Sequence, residues 1–222
     1  MIAAHLPALQ VVIPLLAAPL CAILRRGTIA WVIAVVANWL AFAVSIGLLF
    51  RVLDEGVISY AMGGWAPPIG IEYRVDLINV FVLLVVSGVG AVIIPFARAG
   101  TAARFDSTNQ AWFYTMYLLA LTGLLGVTIT GDAFNIFVFL EVSSLASYVM
   151  IAMGRDKRAL TAAYQYLIMG TVGATFIVIG VGLLWAMTGT LNLYDLAQRI
   201  PDIENTRPVL AALAFLTVGI SL

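Results

Sequence analysis

The sequence is poor in the residues that most chemistries need. It has one cysteine, Cys21, which excludes an intrachain disulfide, a cysteine-ligated zinc site and an iron–sulfur cluster. It has one histidine, His5, so a bis-histidine haem within the chain is excluded. No Gly-x-x-x-x-Gly-Lys-Ser/Thr segment occurs, which removes the loop that cradles the phosphates of ATP. Lysine occurs once, at Lys157. Charged residues make up only 10% and sum to a net charge of zero, which argues against a nucleic-acid partner.

What fills the 222 residues instead is apolar: 63% of them, with a mean hydropathy of +1.08. A soluble domain holds about 45–50% apolar and 25% charged residues, and one of this size has no interior large enough for the excess. Most of the surface therefore faces lipid. Runs long enough to cross an apolar core of ~30 Å, about 20 residues each, fall at Leu6–Leu24, Thr28–Leu53, Leu77–Ala97, Ala111–Thr130, Ala133–Met153 and Ala159–Met187. A further run, Val209–Leu222, is too short to span and nothing terminates it, which reads as a chain cut inside its seventh helix. The expected fold is an all-α integral membrane protein of about six complete transmembrane helices and the start of a seventh. Pro14 and Pro19 each remove a backbone donor from the first helix and are expected to bend it.

Loop charges give the orientation. Arg25 and Arg26 follow the first run, Arg98 and Arg104 the third, and Arg155, Lys157 and Arg158 the fifth, with Asp106 and Asp156 as the acids of those loops. The alternate loops carry Asp54, Glu55, Glu72, Asp76, Asp195, Asp202 and Glu204. An excess of basic residues marks the cytoplasmic side, so the N-terminus is expected outside. The first run has no positive segment before it, and the residues ahead of Cys21 make a poor lipoprotein cleavage site, so it reads as a retained helix. The loop 54–76 combines Gly63-Gly64-Trp65-Ala66-Pro67-Pro68 with alternating apolar and polar residues, the pattern of an external β-hairpin lid. Gly189 is placed to end the sixth helix and Asn192 to cap a short surface helix. Asp132 is placed to cap the fifth helix, with a functional role as the alternative. Arg74 and Asp76 form an external pair or anchor the third helix. The run 155–158 reads as a solvated topology signal.

One ionisable residue stands deep inside a run. Glu141 lies nine positions past Asp132 and fourteen before Arg155, about 14 Å below the outer end at 1.5 Å per residue. A charge at that depth costs at least ~2.5–3.5 kcal/mol, so such residues mark ion pathways or proton relays; the alternative is a neutral, hydrogen-bonded structural carboxyl. Ser144 and Tyr148 follow on the same helix face. On the sixth helix Tyr164, Thr171 and Thr175 share a stripe, flanked by Thr161 and Gln165. These hydroxyls either support the carboxylate and a chain of water, or bond their own i−4 carbonyls. No lysine or arginine sits deep inside any complete span, since Arg51 and Arg98 lie at helix ends, so a cationic partner must come from elsewhere. With no such lysine, a retinal Schiff base is excluded.

Thr130-Gly131-Asp132-Ala133-Phe134-Asn135-Ile136-Phe137-Val138-Phe139-Leu140-Glu141-Val142, with Ser147-Tyr148, resembles the fifth helix of the antiporter-like subunits shared by Mrp-type cation/proton antiporters, respiratory complex I and membrane-bound hydrogenases. Tyr166-Leu167-Ile168-Met169-Gly170, the segment 180–184, Met187-Thr188-Gly189-Thr190-Leu191-Asn192 and the 63–67 loop with Val75-Asp76 look most like the D-type branch of the Mrp Na⁺/H⁺ antiporter subunits. The resemblance runs from about residue 60 onward. It implies two inverted five-helix repeats after a few N-terminal helices, so that 1–110 hold helices 1–3 and 111–222 the front of the first repeat. It also implies that Glu141 is the proton carrier, coupled to a lysine on a broken seventh helix. Many relatives carry a sixth-helix lysine where this chain has Gln165.

The function implied is that of a proton-conducting subunit of a multisubunit Na⁺ or K⁺/proton antiporter in a bacterial cell membrane. It works beside other subunits, with no cofactor or metal of its own. Two alternatives stand beside it. One is a proton-pumping membrane subunit of a complex I-like NADH–quinone oxidoreductase or hydrogenase; the other is a non-transporting assembly subunit.

Overall fold

The computed structural model describes residues 2–154 and 156–222; Arg155, one of the loop cations named above, lies outside the described residues. Six helices are long and apolar enough to cross a membrane: α1 (Leu6–Leu24), α2 (Gly27–Glu55), α3 (Leu77–Arg104), α4 (Ser107–Ile129), α5 (Ala133–Ala152) and α6 (Lys157–Thr188). Between α2 and α3, β1 (Ile58–Ala61) and β2 (Glu72–Val75) pair antiparallel, with Ile58 opposite Val75. After α6 come a short α7 (Leu193–Arg199) and the apolar α8 (Arg207–Ser221). The chain is thus a multi-pass, all-α membrane protein. Within the long segments the backbone stays helical, because backbone groups in lipid must find their partners inside the segment.

Element ends follow local chemistry. Asp76 closes a capping box on α3: its carboxylate accepts the N–H groups of Ile78 and Asn79, and the Asn79 side chain accepts the Asp76 N–H. Asn192 caps α7 and Asp132 caps α5 through the Asn135 N–H. Gly189 closes α6 in the left-handed region at φ 71°, a conformation that glycine adopts without strain. α3 runs a further two turns past Ala97, to Arg104, and α1 continues through both Pro14 and Pro19.

α1–α4 pack into one bundle whose seam carries polar side chains that the sequence reading did not single out. Gln10 donates to the Ser45 hydroxyl at 2.8 Å, and Ser45 lies 3.0 Å from the Ser87 hydroxyl. Asn38 donates to the Ser87 carbonyl and accepts from the Tyr117 hydroxyl. Gln10, Asn38, Ser45 and Ser87 are fully buried, so each of α1, α2 and α3 contributes a polar group that would be costly against lipid. The two bundle halves meet where α4 crosses α5. The main chain of Phe139 and Ser143 comes so close to Gly123 that a Cβ there would sit 2.6 Å from the Phe139 carbonyl oxygen, and the Phe139 ring fills the place of a side chain at Gly126.

A methyl group at that crossing has no room, whereas Gly182 faces open space. Gly126→Ala is expected to destabilise the chain by about 1–3 kcal/mol, as overpacked interiors do, and Gly182→Ala to leave the thermal midpoint within error or raise it. Thermal unfolding of the two variants in the same detergent checks the contrast.

Candidate functional site

The site begins at the end of the molecule that holds the hairpin. His5 reaches the Tyr60 hydroxyl at 2.9 Å, so the N-terminus lies at this end too, opposite the loops that carry Arg25, Arg26, Arg98 and Arg104. Between α4 and α5 the chain takes an extended step through Thr130, Gly131 and Asp132. The Gly131 N–H donates to the Glu72 carbonyl on one side, and its carbonyl accepts the Leu193 N–H on the other, both at 2.8 Å. Ala133 N–H donates to the Leu191 carbonyl, so the top of α5 is held between β2 and the segment after α6.

Glu72 fastens this arrangement. Its carboxylate is 4% exposed and accepts the Ser59 hydroxyl at 2.5 Å and the Asn192 amide at 2.7 Å, with the Arg74 guanidinium at 4.0 Å. Arg74 in turn lies 4.5 Å over the Tyr194 ring. The sequence reading gave Arg74 to Asp76 or to anchoring α3; the structure gives it to Glu72 and Tyr194, and α3 is anchored by Asp76 with Asn79. Glu72 was legible only as a loop acid, because its partner Asn192 is 120 residues away. Burial holds the Asp132 carboxyl above its ordinary value, against the downward pull of the Asn135 and Phe134 N–H groups.

Midway along its length, α5 turns Glu141 toward α6 and α8, with Ser144 and Tyr148 following on the same side. Together with Tyr166, Gly170 and Gly219 they line a cleft of about 200 Å³. The three α5 residues fall on one face by their three- and four-residue spacing. Tyr148 is 8% exposed and lines the cleft beside Ser144 and Glu141. Its ring stands edge-on to Tyr166 with centroids 5.1 Å apart, and its hydroxyl occupies the space that a side chain at Gly170 would take. The far wall forms because α6 and α8 approach through Gly173 and Gly219: a Cβ on either would meet the other's carbonyl oxygen within 2.8 Å. Among the described residues, no hydrogen bond or ion pair offsets the burial of Glu141. The ion pairs among the described residues join Arg51 to Glu55, Arg74 to Glu72 and Arg199 to Asp195.

The rest of the expected polar path is placed elsewhere. Tyr164, Gln165, Thr171 and Thr175 are exposed on α6 and do not line the cleft. The Thr171 and Thr175 hydroxyls donate to the Leu167 and Thr171 carbonyls, and Thr161 to that of Lys157, so the stripe takes the back-bonding alternative. The reason is rotational. Tyr166, Gly170, Gly173 and Ile177 repeat at three to four residues and set the face turned to the cleft, the first two toward α5 and the last two toward α8, and the threonines fall outside it. Tyr166 was missed as a side chain, although its spacing from Gly170 and Gly173 carried the signal.

Residues 130–222, which contain Glu141 and its cleft, match the family described as "NADH:quinone oxidoreductase/Mrp antiporter, TM". Over that segment the chain is similar to antiporter-like membrane subunits. Among its relatives, the N-type subunit of the NADH-quinone oxidoreductase of Desulforudis audaxviator is 39% identical over 99% of this chain and 44% of its own length. The D-type subunit of the Na(+)/H(+) antiporter of Alkalihalophilus pseudofirmus is 34% identical over 73% of this chain and 32% of its own. In the structure of the membrane-bound sulfane sulfur reductase, an archaeal respiratory membrane complex, one chain superposes with a TM-score of 0.87 at 28% identity, over 98% of this chain and 44% of that one. The chain spans less than half the length of the relatives it matches.

At the top of α5, the folded protein binds the Asp132 proton more tightly than the unfolded chain does. The stability linked to that proton is complete below the unfolded value of about 3.9 and is lost as pH rises through the folded value. Asp132→Asn keeps the cap, so wild type is expected to lose stability relative to Asp132→Asn as pH rises from about 4. Asp132→Ala, which removes the cap, is expected to cost about 1 kcal/mol at neutral pH. Thermal melts of the three proteins across this range check both statements.

Proposed function

We propose that this chain conducts protons through Glu141 as a subunit of a multisubunit monovalent cation/proton antiporter. The observation that carries the reading is the position of that carboxylate. It faces a cleft shared by α5, α6 and α8, beside the hydroxyls of Ser144, Tyr148 and Tyr166, with no partner among the described residues that fixes it in one state. A carboxyl removed from water favours its neutral form and a nearby cation restores the charged one, so a cation that approaches and withdraws moves the proton. That cation comes from outside these 222 residues, in line with the seventh-helix lysine that the resemblance implies. Ser144 and Tyr148 extend the path along α5, and water carries it past the exposed face of α6 where Gln165 stands. Asp132 serves as a cap.

In this reading residues 1–110 are the N-terminal helices and 111–222 the front of the first inverted repeat. The arginine-rich loops face the cytoplasm of a bacterial cell, and other subunits of the complex cover part of the lipid-facing surface. Proton entry then drives export of Na⁺ or K⁺. A second reading, a redox-driven proton pump, is favoured by the 39% identity to an NADH-quinone oxidoreductase subunit over nearly the whole chain. Glu141 has the same part in both readings; the source of energy differs.

The test is Glu141→Gln in the full-length protein within its complex. Assembly is expected to be retained while proton-coupled cation exchange in inverted vesicles falls to the level of vesicles without the protein. Unchanged exchange would assign the chain to assembly alone. Proton uptake that follows a redox substrate and ignores Na⁺ and K⁺ would select the second reading. Tyr148→Phe is expected to slow exchange without abolishing it. Gly170→Ala, which displaces the Tyr148 hydroxyl without touching Glu141, is expected to slow it at least as much.

A further inference from the structure

At the end opposite the hairpin, the α1–α2 loop and the last turns of α3 gather Arg25, Arg26, Arg98 and Arg104, with Asp106 as the acid beside them. Beside this cluster the outer faces of α2 and α3 do not close on one another. Trp39, Phe42, Leu84, Gly88, Val92 and Ile93 border an open apolar groove of about 540 Å³. Its floor exists because α3 has no side chain at Gly88, where a Cβ would press on the Phe42 ring at 3.2 Å. Trp39 stands edge-on to Phe42, centroids 6.1 Å apart, and is half exposed.

The groove is aligned with a cation. Arg98 follows Leu84 and Ala91, both of the groove, by fourteen and seven residues, so it lies on the same face of α3. It is five residues, about 7.5 Å, beyond Ile93. Its guanidinium is held 4.7 Å over the Trp31 ring, and Trp31 is itself pinned across the α2–α3 seam by donating to the Ile94 carbonyl at 3.2 Å. Arg98 is exposed, so its guanidinium is open to a ligand. An occupant of this surface therefore needs a hydrocarbon chain and, a few ångströms beyond its end, a negative charge with hydrogen-bond acceptors. The groove walls offer apolar side chains, which an acyl chain covers, and the aligned Arg98 offers the cation that a phosphate pairs with.

We propose that the α2–α3 groove binds an anionic glycerophospholipid, with one acyl chain against Gly88 and the phosphate on Arg98. The neighbouring arginines add to the attraction, and each basic group near a membrane surface contributes to the binding of anionic lipid. The site is separate from Glu141 and does not depend on the transport reading.

The full chain in nanodiscs of phosphatidylcholine, titrated with phosphatidylglycerol and followed by native mass spectrometry, tests the site. Wild type is expected to retain phosphatidylglycerol in preference to phosphatidylcholine. Arg98→Gln is expected to weaken that preference about fivefold, the effect of one basic group at the surface, while Arg98→Lys keeps most of it. Val92→Trp fills the groove from its exposed side, where no repacking is needed, and is expected to reduce retention to a similar extent. Arg104→Gln, whose cation is not aligned with the groove, is expected to have the smaller effect. The proposal is overturned if Arg104→Gln matches Arg98→Gln, which would mean a diffuse charge effect, or if Val92→Trp changes nothing. It is overturned also if a Cys placed at Val92 in the assembled complex cross-links to a protein subunit.

Discussion

A carboxylate at mid-membrane depth has no bulk water to stabilise its charge, and the surrounding hydrocarbon offers nothing in exchange. Everything around Glu141 answers to that constraint. The residue sits on a helix whose upper end is fixed by main-chain hydrogen bonds from Gly131 and Ala133 to two other segments. Lower down, α4 is drawn against α5 at Gly123 and Gly126, and α6 against α8 at Gly173 and Gly219. Close backbone approach on both sides leaves one opening, and the glutamate faces it with Ser144 and Tyr148.

The buried polar groups of α1–α4 make the contrast plain. Gln10, Ser45, Ser87, Asn38 and Tyr117 are also deep in the bundle, yet they are joined to one another by hydrogen bonds. None of these groups carries a charge at neutral pH, and their role is to fix how four helices meet. Glu141 is ionisable and has no such bond among the described residues. These bonds tie the helices to one another, with Gln10 Oε1 the buried atom among them left without a partner, whereas a carboxyl free of such ties can change its protonation. The same fold thus holds polar groups of two kinds.

Much of the architecture was legible because hydrophobic length is a direct physical requirement of the bilayer. The six spans, the hairpin between α2 and α3, the Asn192 cap and the Asp132 cap are each local, so a few adjacent residues state them. That Glu141 lies midway along α5 was legible too, from its count of residues between Asp132 and Arg155. Less accessible were the partners. Glu72 gave no local sign that it would meet Asn192, and the arginine beside it turned to Tyr194 rather than to Asp76. The threonines of α6 form a clear stripe in sequence, but a stripe does not say which neighbour it faces.

By itself, then, the amino-acid order determined which segments are long and apolar enough to enter lipid, where they turn, and that one acid falls midway along α5, since these depend on composition and spacing along a single helix. Tertiary structure alone decided the rotation of α6 about its axis, and with it that Tyr166 and Gly170 face Glu141 while Thr171 and Thr175 do not. The reason is that helix rotation in a membrane is set by where two backbones come closest. Those contacts, through Gly173 and Gly219 among others, join residues far apart in the chain.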